Sequence, residues 1–253
     1  MSLLLVLACG SSVGALSLVS VEQEIAIGRQ AQQEVRSQVP VVRDPDVAGY
    51  VQRLGRRLAA QAQGPDYPYS FSVANSRELN AFALPGGPVW VHRGILEAAE
   101  NEAQVAGVMA HEIAHIAERH SAEQMTRATV ANGLLGLLGH VLDGGRGEAA
   151  ARIGAGLGTQ FLFLKFSRDH EREADRVGAQ IMRRAGYDPA GMVEFFELLE
   201  RHQRRSPGAV ANFLSTHPAP GSRAAELRPV AGGGGRRTSA EFNAMKRELR
   251  SLR

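Results

Sequence analysis

Two histidines four residues apart, with a glutamate directly after the first, are the residues best suited to chemistry in this 253-residue chain: His111-Glu112-Ile113-Ala114-His115. At about 100° per residue, positions four apart on an α-helix stack on one face, so both imidazoles can reach one metal ion. Glu112 projects from the adjoining face, near enough to touch a water on that metal without being a ligand. The spacing suits metal-assisted hydrolysis, in which a bound ion lowers the pKa of a water to about 7 and a carboxylate takes its proton as it attacks a carbonyl.

A site of this kind needs a third protein ligand and one open position. A glycine at 118 and a histidine at 121 would extend the motif from the same stretch, but those positions hold Glu118 and Ser121. The supply falls instead to Glu171-Arg172-Glu173-Ala174-Asp175, on a second predicted helix. Glu171 and Asp175 share a face of it. If Glu171 is the ligand, Asp175 can accept a hydrogen bond from a ligand histidine. His92, His120, His140, His170 and His202 lack ligand spacing with a second candidate, except that His170 abuts Glu171, and read as structural or surface residues.

The elements that must carry these residues are mainly helical. The chain is 44% hydrophobic but only 6% aromatic, which favours close-packed helices over a sheet sandwich. Apolar periodicity and caps predict helices over 21–35, from Asp44-Pro45 to about Gln63, over 94–99, and over 102–120 behind the cap Asn101. Further helices are predicted from Ser167 to Ala185, closed by Gly186, from Asp188-Pro189 to about Arg204, and from Ser239 to Leu252. Between Tyr69 and His92 the pattern shortens to Ser70–Val73, Ala81–Leu84 and Val89–Val91, read as a small antiparallel sheet beside the histidine-bearing helix. Leu214 to Gly221 reads as a proline-flanked loop, and Gly232–Gly235 as a flexible linker to a short helical tail. The domain plan is an N-terminal leader over 1–19, one catalytic domain over 20–229, and linker plus tail over 230–253.

The net charge of +3 is spread over scattered basic residues without aromatic interleaving, which speaks against nucleic acid as a partner. The apolar runs between Thr126 and Phe166 fall short of the roughly 20 residues that span a membrane. One cysteine excludes an intramolecular disulfide. That residue, Cys9, follows Leu3–Ala8 and resembles the end of a bacterial lipoprotein signal, shortened in this chain. A lipid on Cys9 would attach the protein to a membrane surface.

Taken in order, Asn80-Ala81-Phe82-Ala83-Leu84-Pro85-Gly86-Gly87, the His111–His115 motif, Ser167-Arg168 with Glu171–Asp175, and His217-Pro218 with Arg223 resemble a known family. It is that of the bacterial membrane-associated zinc endopeptidases of the HtpX and BepA type, related to the prenyl-protein proteases. The likeness implies an α+β, mainly helical gluzincin fold with one zinc ion per chain, held by His111, His115 and Glu171 rather than Glu173, and with Glu112 as general base. It implies that Asn80 contacts the substrate backbone, that the substrate lies as a strand along Ala81 and Phe82, and that His217 and Arg223 stabilise the oxyanion. It also implies a switch in which His217 takes the zinc's fourth position and holds the enzyme latent. Soluble members are periplasmic, often lipoproteins, which makes unfolded envelope proteins the expected substrates. A binding module that keeps the metal without hydrolysis would have no use for Glu112. A membrane-embedded processing enzyme would need more apolar spans than this chain has.

Overall fold

A computed structural model describes residues 17–137, 165–217, 220–229 and 231–252, with side chains for all of these but 131–137. Cys9 and most of the apolar stretch before Phe166 lie outside the described residues, as does Pro218. Among the described residues no helix is long and apolar enough to cross a membrane.

The fold is built around α4 (Glu102–Ala117), which starts where the Asn101 side chain accepts a hydrogen bond from Gln104 N. Every one of its residues is buried, as expected of a helix that neighbours cover on all sides. It is flanked by α2 (Pro45–Ala59), α6 (Arg168–Arg184) and α7 (Ala190–Arg205). Small residues permit the close approach. A Cβ added to Gly107 would lie 2.7 Å from Met192 Cα on α7, and one added to Gly178 of α6 would lie 3.1 Å from the backbone nitrogen of His111. The remaining helices are α1 (Val21–Gln38), α3 (Arg93–Ala98), α5 (His120–Leu137), α8 (Pro207–Thr216), α9 (Pro220–Leu227) and α10 (Ala240–Ser251).

Three strands, β1 (Ser70–Ala74), β2 (Ala81–Ala83) and β3 (Pro88–His92), form a sheet in the order β1-β3-β2. Alternation places Val89 and Val91 in the main core and Trp90 in a second cluster with Ala31, Val35, Ala74 and Leu84, so β3 is buried on both faces. The sheet is mixed, not antiparallel throughout as expected: β2 and β3 form a hairpin, but β1 runs parallel to β3. Strand periodicity specifies which face is buried and carries no information on pairing order. The outer edge of β1 is partly covered by the Val41–Val42 segment, through Val42 N to Val73 O at 2.9 Å, which leaves β2 as the sheet's second edge.

Two further differences concern the C-terminal third. The stretch Leu214–Gly221 is not a loop throughout: Leu214–Thr216 form the last turn of α8, His217 caps it, and Pro220 opens α9. Both Pro207 and Pro220 sit where a missing N–H costs nothing, at a helix start. The glycine run does not end in a loose tail. Asp188 N donates to Arg236 O, Arg236 N to Gly186 O and Ala103 N to Arg237 O. Helix α10 then buries Phe242, Met245 and Leu249 in the main core, while Lys246 Nζ donates to the carbonyls of Leu96, Glu97 and Ala99 at the end of α3. Phe242 is 2% exposed, so Phe242→Ala is expected to cost about 3–5 kcal/mol in urea denaturation. A loss below about 1 kcal/mol would show that the tail is not part of the core.

Candidate metal centre

Four elements deliver the site. Helix α4 presents His111, Glu112 and His115 one turn apart. Helix α6, capped by Ser167, whose hydroxyl accepts from His170 N, carries Glu171 in its first turn and Asp175 one turn on. The C-cap of α8 brings in His217, and α9 adds Arg223. One ligand atom from each of His111, His115, Glu171 and His217 lies within 4.8 Å of all the others. His111, His115, Glu171 and His217 are each 2% exposed or less.

The donor atoms fit a single ion. His111 Nε2 is 3.0 Å from His115 Nε2 and 3.3 Å from His217 Nδ1. Glu171 Oε1 is 2.9 Å from His217 Nδ1 and 3.4 Å from His115 Nε2. Tetrahedral ligands about 2.0–2.1 Å from a zinc ion stand about 3.3–3.4 Å from one another, which is close to this spacing. Glu112, fully buried, stays outside the set: its Oε1 is 3.6 Å from His217 Nε2, and neither of its oxygens has a hydrogen-bond partner.

The charges point the same way. Three buried carboxylates, Glu112, Glu171 and Asp175, face one buried guanidinium, Arg223. Arg223 Nε donates to Asp175 Oδ2 at 2.8 Å, its other nitrogens pair with Asp175 and Glu171, and its carbon lies 4.2 Å over the Phe196 ring. With every histidine neutral, as ligands of a divalent cation would be, two negative charges are in surplus, the charge that cation cancels; with no ion bound, burial would lower the His217 pKa but Glu171 and Glu112 raise it. Burial alone would raise the Glu171 carboxyl, but His217 and Arg223 outweigh it and hold it well below the usual carboxylate range. Burial likewise would raise the Asp175 pKa, but Arg223 outweighs it and holds the carboxyl below its usual value.

Behind the donors sits a layer of hydrogen-bond partners. His111 Nδ1 is 3.0 Å from Asp175 Oδ1, which orients Nε2 toward the cluster. Arg223 Nη2 is 3.2 Å from the same nitrogen, but both are donors once Nδ1 is protonated, so the carboxylate is the partner. His115 Nδ1 is 2.9 Å from His120 Nδ1. Burial and then the neighbouring His170 lower the His120 pKa to about 3, so this ring is neutral. Ligand spacing overlooked both His120 and His170. The sequence pattern runs the histidine-bearing helix on to His120, whereas it ends at Ala117, so no local signal singled out His120. Glu173, two residues beyond Glu171 on α6, has a side chain 41% exposed and lies 3.4 Å from His120.

The residues expected to hold substrate are on and beside β2, which packs on α4. Asn80 precedes β2, accepts from His92 N at 2.9 Å through its carbonyl, and has a buried side-chain oxygen without a partner. Ala81 is buried, and Phe82 is half-buried against Trp90, on a strand that packs on α4.

A helix-borne His-Glu-x-x-His pair beside a carboxylate from a second helix defines a gluzincin-type metallopeptidase domain. The chain belongs to peptidase family M48, whose model matches residues 45–231. It is 37% identical over 227 residues to the "Beta-barrel assembly-enhancing protease" of Escherichia coli K12, covering 87% of this chain and 45% of that protein. The protein of the same name from Yersinia pestis is 35% identical over 224 residues, 87% of this chain and 46% of its own. The "Mitochondrial metalloendopeptidase OMA1" of Schizosaccharomyces pombe is 36% identical over 172 residues, 67% of this chain and 49% of its own. The chain thus spans about half the length of these relatives.

Arg223 was expected at the oxyanion; in the resting geometry it clamps two carboxylates. Removing one partner of a buried ion pair strands the others, so Arg223→Ala should cost about 3–5 kcal/mol in denaturant unfolding. A variant of unchanged stability would show that the guanidinium is not needed to balance Glu171 and Asp175.

Proposed function

We propose that the chain is a zinc-dependent endopeptidase in which His111, His115 and Glu171 hold one zinc ion, His217 closes the fourth position at rest, and Glu112 is the general base. The observation that carries this reading is the convergence of four buried donor atoms within 4.8 Å, with the unpartnered Glu112 carboxylate beside them. Zinc held there would supply a Lewis acid that polarises the scissile carbonyl and lowers the pKa of a water to about 7. Glu112 has nothing to release before it works: its oxygens take the proton of the attacking water and pass it to the leaving amine. Once His217 moves aside, its ring and Arg223 become donors for the oxyanion. The β2 edge at Ala81 and Phe82 receives the substrate as an added strand, with the Asn80 amide on its backbone.

The substrates we propose are unfolded or misassembled envelope proteins, met in the periplasm by an enzyme anchored through a lipid on Cys9. The support is the lipoprotein-like sequence before Cys9 and the similarity to a protease named for β-barrel assembly. A second reading, a chaperone-like binding module with latent protease activity, draws on the sealed site. His217 is 1% exposed among the donors. A cleft of about 460 Å³ between α6 and α9 reaches Asp175 and Arg223 and none of the four donors.

Metal analysis with casein digestion tests the assignment. Wild type should carry close to one zinc per chain. Glu112→Gln should keep that zinc and lose activity by about 100-fold or more, whereas Glu171→Ala should lose both. Zinc and activity retained in Glu171→Ala would refute the ligand set. A rise in cleavage by His217→Ala with zinc retained would favour latency, and a fall would favour oxyanion support.

A further inference from the structure

Each donor histidine needs its second ring nitrogen held if the first is to point at an ion. For His111 that holder is a carboxylate, Asp175. For His115 it is another imidazole, and the way the chain places it is unusual. In a continuous helix, positions five apart differ by about 140° around the axis and do not touch. Helix α4 ends at Ala117, and Arg119 then adopts φ 60°, the left-handed region that non-glycine residues seldom occupy. The chain reverses there, and His120, the first residue of α5, returns its Nδ1 to 2.9 Å from His115 Nδ1. The strained residue is tied down. Arg119 Nε donates to the buried Glu24 carboxylate at 2.7 Å and Nη2 to the Val19 carbonyl at 2.6 Å, while Tyr67 donates to the other Glu24 oxygen.

We propose that His120 is a positioning residue for the metal centre: a neutral imidazole that accepts the Nδ1 proton of His115 and thereby fixes the His115 tautomer with Nε2 free for zinc. Two ring nitrogens that do not share a metal ion approach to 2.9 Å only when one carries a proton and the other a lone pair. If His115 gives its Nε2 lone pair to zinc, its proton is on Nδ1, and His120 must accept. The His120 proton is then on Nε2, which faces Glu173 Oε2 at 3.4 Å. The ring is held in this pose by His170, stacked at 4.4 Å with 13° between planes, whose own Nε2 is fixed by Glu123 Oε2 at 3.0 Å. On its other side His115 stacks on Phe166 at 3.9 Å. The acceptor differs in kind from that of His111: it adds no negative charge to a site that already has a surplus.

The inference rests on His115 being a zinc ligand, so zinc binding by the wild-type chain is measured first; its failure would overturn the proposed function itself. With wild-type binding established, zinc affinity is measured by chelator competition on the full chain for two variants. His120→Phe keeps a stacked ring but has no acceptor, and should bind zinc about 10- to 100-fold more weakly. His120→Asn places an amide oxygen near the Nδ1 position and should recover most of that loss. Unchanged affinity in His120→Phe, or an equal loss in both variants, would overturn the proposal, the second by showing that only packing is at stake. Long-range nitrogen–proton NMR of the zinc-loaded wild type needs no variant to fold. It should show His120 protonated on Nε2 alone, and a proton on His120 Nδ1 would overturn the proposal equally.

Discussion

Buried charge without enough counter-charge is the constraint on which this structure turns. Glu112, Glu171 and Asp175 are enclosed with a single guanidinium, and an unpaired carboxylate in such surroundings costs several kcal/mol. The architecture is arranged around meeting that cost. Helix α4 is covered on all sides so that its two histidines and its glutamate meet their partners away from water. Gly178 lets α6 come close enough to place Glu171 and Asp175 on the same histidine. The short α9 carries Arg223 between the two acidic residues, and the C-cap of α8 supplies a third imidazole. Glu112 is the one of the three carboxylates whose oxygens have no protein hydrogen-bond partner.

What local sequence encodes was legible. The histidine spacing only makes sense on a helix, and Asn101, Ser167 and Ser239 each cap one with the side-chain acceptance expected of them. The four-residue step from Glu171 to Asp175 puts both on one face of the helix, and Asp175 Oδ1 lies 3.0 Å from His111 Nδ1. What depends on tertiary arrangement was not legible. Nothing in Ser70–Val73 says that it pairs with β3 in parallel. The proline at 220 served equally as a loop marker and a helix start. Four glycines suggested a free tail, whereas Phe242, Met245 and Leu249 pack against the main core from beyond them. His120 escaped notice because its contact with His115 exists only through the left-handed turn at Arg119, and that turn is held by Glu24, some 95 residues away in the chain.

The resting geometry and the proposed chemistry make different demands on His217. Its Nδ1 is 2.9 Å from Glu171 and its Nε2 is 3.6 Å from Glu112, so the ring lies between the two carboxylates to which the proposal gives different roles. Hydrolysis requires that position to open while Arg223 stays near enough to serve the oxyanion. The division of anchorage suits this: α9 packs chiefly on α7 and reaches α6 mainly through charged pairs, Arg223 with Glu171 and Asp175, and Arg172 with Glu226.

Thermal unfolding of the full chain, chelated and zinc-loaded, tests the charge-balance account most directly, with Glu112→Gln measured beside the wild type. The account predicts that zinc at a hundredfold excess over its dissociation constant stabilises the wild type by about 2.7 kcal/mol. It also predicts that Glu112→Gln raises the melting midpoint of the chelated form, because it removes one of the surplus buried charges. Equal midpoints for chelated and zinc-loaded wild type, with no gain in the chelated variant, would contradict it.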